Sequence, residues 1–165
     1  MLVLKQSLTG RSVKNDFNDR LRIEEDETHH RPSWDEVWME TAKVLSRRSL
    51  DPRFQVGAVI VTGDNTQVLA VGYNGDQRGG SNQVESLEPG CSGFIHAEIN
   101  ALIKCDYNNP KRKVMYLTLS PCKQCAKSIV NGGIDEVVYN EEYRDLAGVT
   151  LLTDAGVKVR KITPK

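Results

Sequence analysis

His96-Ala97-Glu98-Ile99-Asn100-Ala101-Leu102 and Ser120-Pro121-Cys122-Lys123-Gln124-Cys125 are the two segments around which this chain is organised. Together they supply one imidazole, a carboxylate two positions after it, and two thiols separated by two residues. Zinc held by one histidine and two thiolates keeps a tetrahedral position open for water, as catalytic sites do, whereas a structural site closes it with a fourth protein ligand. A structural zinc knuckle would leave Glu98 without work, and a redox Cys-x-x-Cys pair needs no His-x-Glu. The pattern therefore favours a catalytic zinc on His96, Cys122 and Cys125, with Glu98 moving protons. If His96 and Cys122 each open a helix, two helix N-termini can bring their ligands to one point and stabilise thiolates there. Pro121 suits a strand-to-helix switch, because its missing N–H is not needed in a first turn.

Working outward, Ser33 with Glu36 three residues later is a capping-box pattern. Trp34, Val37, Trp38, Thr41, Val44 and Leu45 recur at helical spacing, which predicts a helix to about Arg48, stopped by Asp51-Pro52. Val56–Val61 and Gln67–Tyr73 read as an antiparallel hairpin, followed by a Gly-rich irregular stretch from Asn74 to Gly93. Helical spacing resumes at His96. A strand over Val114–Leu119, a helix over Cys122–Asn131, a strand over Glu136–Tyr139, a helix from about Asp145 to Ala155 and a strand over Val157–Arg160 follow. Gly148 weakens the last of these helices. Helices alternating with the later strands imply crossovers. The expected fold is α/β: a three-layer α/β/α sandwich whose mixed five-stranded sheet has an antiparallel hairpin and a parallel portion.

The 165 residues suit one domain at 32–165, preceded by a polar arm at 1–31 that shows no sustained apolar period and ends in His29-His30. The 22 acidic and 22 basic side chains cancel, so the global field expected of a nucleic-acid binder is missing. The late cluster Lys158, Arg160, Lys161 and Lys165 is too small to carry RNA binding alone. No stretch is apolar enough for a membrane span, and the N-terminus reads as no signal peptide. A Cys-x-x-Cys pair with an upstream histidine points to a reducing, cytoplasmic setting, with Cys91 and Cys105 as free thiols.

The order H-x-E…P-C-x-x-C is the known signature of zinc-dependent nucleobase deaminases. With Arg48-Ser49, Gly72-Tyr73-Asn74-Gly75 and Tyr143-Arg144, the chain resembles the cytidine/deoxycytidylate deaminase superfamily, and within it the deoxycytidylate (dCMP) deaminases. The resemblance covers everything but the arm. It implies a cytidine deaminase-like fold, Zn2+, a nucleotide substrate, hydrolysis of dCMP to dUMP and ammonia, and a homo-oligomer. It further implies that Asn74, Ala97, Ser120 and Tyr143 contact the substrate. Arg48, with Ser49, is the candidate for the 5′-phosphate, since a guanidinium fork suits phosphate oxygens. The loop Asp76-Gln77-Arg78-Gly79-Gly80 departs from the proline-containing loop of allosterically regulated relatives, so regulation by dCTP and dTTP is not carried over. The competing readings are a tRNA adenosine, guanine or other nucleobase deaminase on the same fold, and a zinc-stabilised binding module without turnover.

Overall fold

The computed structural model describes residues 31–88 and 90–163; the expected arm, with His29-His30, lies outside them except for Arg31. Its elements are α1 (Trp34–Ser46), β1 (Gly57–Thr62), β2 (Val68–Tyr73), α2 (Ala97–Leu102), β3 (Lys113–Leu119), α3 (Lys123–Asn131), β4 (Glu136–Glu141), α4 (Ala147–Asp154) and β5 (Lys158–Lys161). The five strands form one sheet in the order β2-β1-β3-β4-β5. β1 pairs antiparallel with both β2 and β3, while β4 runs parallel to β3 and to β5. The expected mixed sheet is present.

Strand alternation sorts the core into two layers. Ala58, Ile60, Met115, Leu117, Val137 and Tyr139 pack on one face, with Ala97, Ala101, Ala126, Ile129 and Leu152 from α2, α3 and α4. Val59, Val61, Val114, Tyr116 and Val138 face the other way, onto Met39 and Ala42 of α1. Burying a side chain such as Ile60 or Leu117 contributes about 1.5–3 kcal/mol. Because β1 and β3 are covered on both faces, they read in sequence as unbroken apolar runs.

The capping box forms: Ser33 N–H donates to Glu36 at 2.6 Å, and Glu36 N–H donates to Ser33 Oγ at 3.3 Å. Across the sheet, Asp35 accepts from the Tyr116 hydroxyl and from Arg160, both at 2.7 Å. Arg160 also donates to Glu136 at 2.6 Å, which ties α1 to β3, β4 and β5. No helix of the described residues is long and apolar enough to cross a membrane.

Two glycines bring backbone to backbone near the metal motif. A Cβ on Gly72 would stand 2.3 Å from the Ala97 carbonyl oxygen, so β2 and the start of α2 touch only because that side chain is absent. A Cβ on Gly148 would stand 2.0 Å from the Pro121 carbonyl oxygen, so α4 packs directly on the Pro121-Cys122 corner. The glycine that weakened the helix in sequence is required by this approach.

Candidate metal centre and cavity

His96 is the N-cap of α2, and Cys122 is the N-cap of α3 with Cys125 in its first turn. The Cys125 N–H donates to Cys122 Sγ at 3.5 Å, an arrangement in which a helix N-terminus favours thiolate. His96 Nδ1 lies 3.7 Å from Cys122 Sγ and 3.2 Å from Cys125 Sγ. The three ligand atoms all fall within 4.8 Å of one another. Bond lengths of about 2.3 Å to sulfur and 2.0 Å to nitrogen place tetrahedral ligands about 3.5–3.8 Å apart, so this donor set fits zinc.

Hydrogen bonds from Cys125 and then His96 bring the Cys122 thiol down to about 3. Cys125 is pushed far up by donating a hydrogen bond to Cys122 and by burial, and His96 is raised chiefly through its bond with Cys122. Ligation requires both sulfurs as thiolates and a neutral imidazole, so metal binding at this cluster would release protons. Glu98, in the first turn of α2, is 4% exposed, and burial raises its carboxyl above the usual carboxylate range.

His96, Ala97, Glu98 and Cys122 border one cavity together with Asn74, Ser120 and Tyr143. Asn74 is buried and committed to the neighbouring loop: its Oδ1 accepts from Val56 N–H at 2.8 Å, and its Nδ2 donates to the Phe54 carbonyl at 2.8 Å. Ser120 Oγ accepts from the Tyr143 N–H at 2.8 Å, and the Tyr143 ring meets Phe54 edge-on at 6.2 Å.

Arg48 and Ser49 are placed elsewhere. α1 ends at Ser46, so Arg48 is exposed on the following turn, and Ser49 is buried with its hydroxyl accepting from Asp51 N–H. Neither borders the cavity. The segment after α1 reaches it instead at Asp51, Arg53, Phe54 and Val56; in sequence, Asp51-Pro52 reads only as a helix stop and Val56 as the start of a strand. Gly90 and Ser92, from the irregular stretch, complete the rim.

A family model described as the cytidine and deoxycytidylate deaminase zinc-binding region matches residues 32–141. Deoxycytidylate deaminase of Homo sapiens is 37% identical over 145 residues, covering 80% of this chain and 81% of that protein. ComE operon protein 2 of Bacillus subtilis (strain 168) is 36% identical over 139 residues, covering 80% of this chain and 72% of that protein. Among solved structures, dCMP deaminase from the cyanophage S-TIM5 in complex with dCMP and dUMP superposes with a TM-score of 0.71 at 36% identity. That match covers 81% of this chain and 100% of the phage chain.

Proposed function

Since the chain belongs to the cytidine and deoxycytidylate deaminase family and is a zinc-dependent hydrolytic deaminase, we propose that it converts dCMP and water into dUMP and ammonia. The observation that carries this reading is the convergence of His96, Cys122 and Cys125 on one point of a cavity that also contains buried Glu98. His96, Cys122 and Cys125 would hold a zinc ion, whose chemistry when bound would be to lower the pKa of a water towards about 7 and so supply a nucleophile at neutral pH. Glu98 accepts the proton of that water, delivers it to the ring nitrogen beside the amino-bearing carbon, and helps protonate the departing amine. Burial suits this work, because a carboxyl raised above its usual range takes a proton more readily than an ordinary carboxylate.

The remaining lining orients the nucleotide. Ala97 opens α2 and borders the cavity, and its first-turn N–H, which has no partner within the helix, would suit a pyrimidine carbonyl. Asn74 Oδ1 keeps a second lone pair for a sugar hydroxyl, and Ser120 and Phe54 brace Tyr143 as a wall. The free thiols support a reducing, cytoplasmic setting. Exposed Ile103 and Tyr107, after α2, offer apolar surface for a homo-oligomer, with residues 1–31 as an arm preceding the domain at 32–165.

The test is ammonia release from cytosine, cytidine, dCMP, dCTP, guanine and adenosine by the zinc-loaded protein. Preference for dCMP is expected. Strong preference for guanine, adenosine or a non-phosphorylated pyrimidine would overturn the reading.

A further inference from the structure

Asn100 lies on α2 two residues after Glu98, partly buried and outside the cavity lining. A carboxamide carries two N–H donors on one nitrogen. That nitrogen, Nδ2, donates to the Tyr73 carbonyl at 2.9 Å and approaches the Ile95 carbonyl at 3.4 Å. Each carbonyl belongs to the peptide that leads into a cavity residue, Asn74 in one case and His96 in the other. The far end of the Tyr73-Asn74 peptide is held as well, since the Asn74 N–H donates to the Val56 carbonyl at 3.2 Å. On the metal side, the Asn100 backbone N–H donates to the His96 carbonyl at 3.0 Å, so one residue grips the peptides before and after that histidine. Gly75 and Ile95 close the same corner by exchanging N–H bonds at 3.1 and 2.9 Å.

A second tie to the same strand gives a reference for the first. Lys104 Nζ, one helical turn on from Asn100, donates to the Val71 carbonyl of β2 at 3.0 Å. Val71 leads into Gly72, which does not border the cavity, so this bond fastens β2 without addressing a functional side chain.

We propose that Asn100 is a positioning residue whose amide fixes Asn74 relative to His96 and Glu98, and so sets where the nucleotide's sugar stands against the reacting centre. The proposal rests on the dCMP reading above, in which Asn74 meets a sugar hydroxyl. At six residues α2 is under two turns long, which holds His96 and Glu98 relative to each other but not relative to the end of β2. Gly72 permits the close approach of β2 and α2, and the Asn100 amide sets their register at the cavity end. A displacement of about 1 Å between bound substrate and catalytic group is enough to cost about 100-fold in rate.

The experiment measures kcat and KM for dCMP, zinc content and calorimetric dUMP binding in the wild type, N100A, N100D, K104A, N74A and N74A/N100A. Each is zinc-loaded and checked for folding by circular dichroism. N100A is expected to keep its zinc, to lower kcat/KM about 10- to 100-fold and to weaken dUMP binding. N100D fills the same space without an N–H to offer and is expected to lose at least as much. K104A stays within about threefold of the wild type. In the N74A background, removing the Asn100 amide costs less than about threefold more, because the residue it positions is already gone.

Full additivity of N74A and N100A overturns the proposal. So does wild-type kcat/KM in N100D, a loss in K104A equal to that in N100A, or loss of zinc from N100A, which would make Asn100 a scaffold of the metal site alone. Should N100A fail to fold, N100S takes its place in the cycle, and additivity there overturns the proposal equally. A wild type that binds dUMP without deaminating dCMP defeats the dCMP reading instead. Non-additive dUMP binding across the cycle then leaves the positioning role standing, and additive binding overturns it.

Discussion

His96, Cys122 and Cys125 hang from the first residues of two helices, whereas Asp51, Arg53, Phe54 and Gly90 reach the same cavity from irregular chain. The helix-borne side is held by backbone packing, with Gly72 against α2 and Gly148 against Pro121. The loop-borne side is held by side chains reaching backbone groups: Asn74 onto Val56 and Phe54, Arg53 onto Ser86 and Glu88. Metal ligands and a proton carrier must stay within fractions of an ångström of working geometry, which regular elements provide. A substrate's sugar and phosphate can be met by segments that vary from one relative to another.

Four perturbations sharpen this contrast. Chelating the metal should have the largest effect, abolishing ammonia release while far-UV circular dichroism persists, because the core of Ile60, Met115 and Leu117 does not depend on the ligands. Next, Gly148→Ala should destabilise by about 1–3 kcal/mol in denaturant titration, since the added Cβ drives α4 off the Pro121-Cys122 corner. It should also release zinc faster to a competing chelator; unchanged zinc retention would show that the helix-borne side does not need this packing.

On the loop-borne side, Asn74→Ala should cost about 1–2 kcal/mol by stranding Val56 N–H and the Phe54 carbonyl. Its KM for dCMP should rise while zinc content stays at the wild-type level. Loss of zinc in this variant would mean that the two sides are not separable.

The smallest effect is expected far from the cavity. Hydrogen bonding by Arg160 holds the Asp35 carboxyl below the usual carboxylate range, against the opposing effect of burial. A depressed folded-state pKa contributes stability above the unfolded value of about 3.9 and loses it as pH falls from there through the folded value. Asp35→Asn should therefore cost about 1 kcal/mol or less at pH 7, Asp35 being partly exposed. The gap to the wild type should narrow below about pH 4 in urea titrations. A gap that widened with acid would refute this assignment.

The same contrast explains what could be read before the structure. His96, Glu98, Cys122 and Cys125 were legible because their spacing is a local property of two helix starts, and Ser33 with Glu36 because a capping box spans one turn. The sheet followed from apolar runs alternating with helical periods. Arg53 was not legible: its partners, the carbonyls of Ser86 and Glu88, are backbone groups that any residue supplies, more than thirty positions away. Arg48 suits a phosphate by its guanidinium and by resemblance, but the helix expected to reach it stops at Ser46 and leaves it outside the cavity. Gly148 read as a flaw because helix propensity is local, while its reason is a tertiary contact with Pro121.

The central claim, that Glu98 moves protons in a zinc-dependent deamination, is tested most directly by Glu98→Gln with zinc content and ammonia release from dCMP measured on one preparation. Zinc should be retained on His96, Cys122 and Cys125 and turnover reduced at least about a thousandfold. Wild-type turnover in a zinc-loaded Glu98→Gln protein would contradict it.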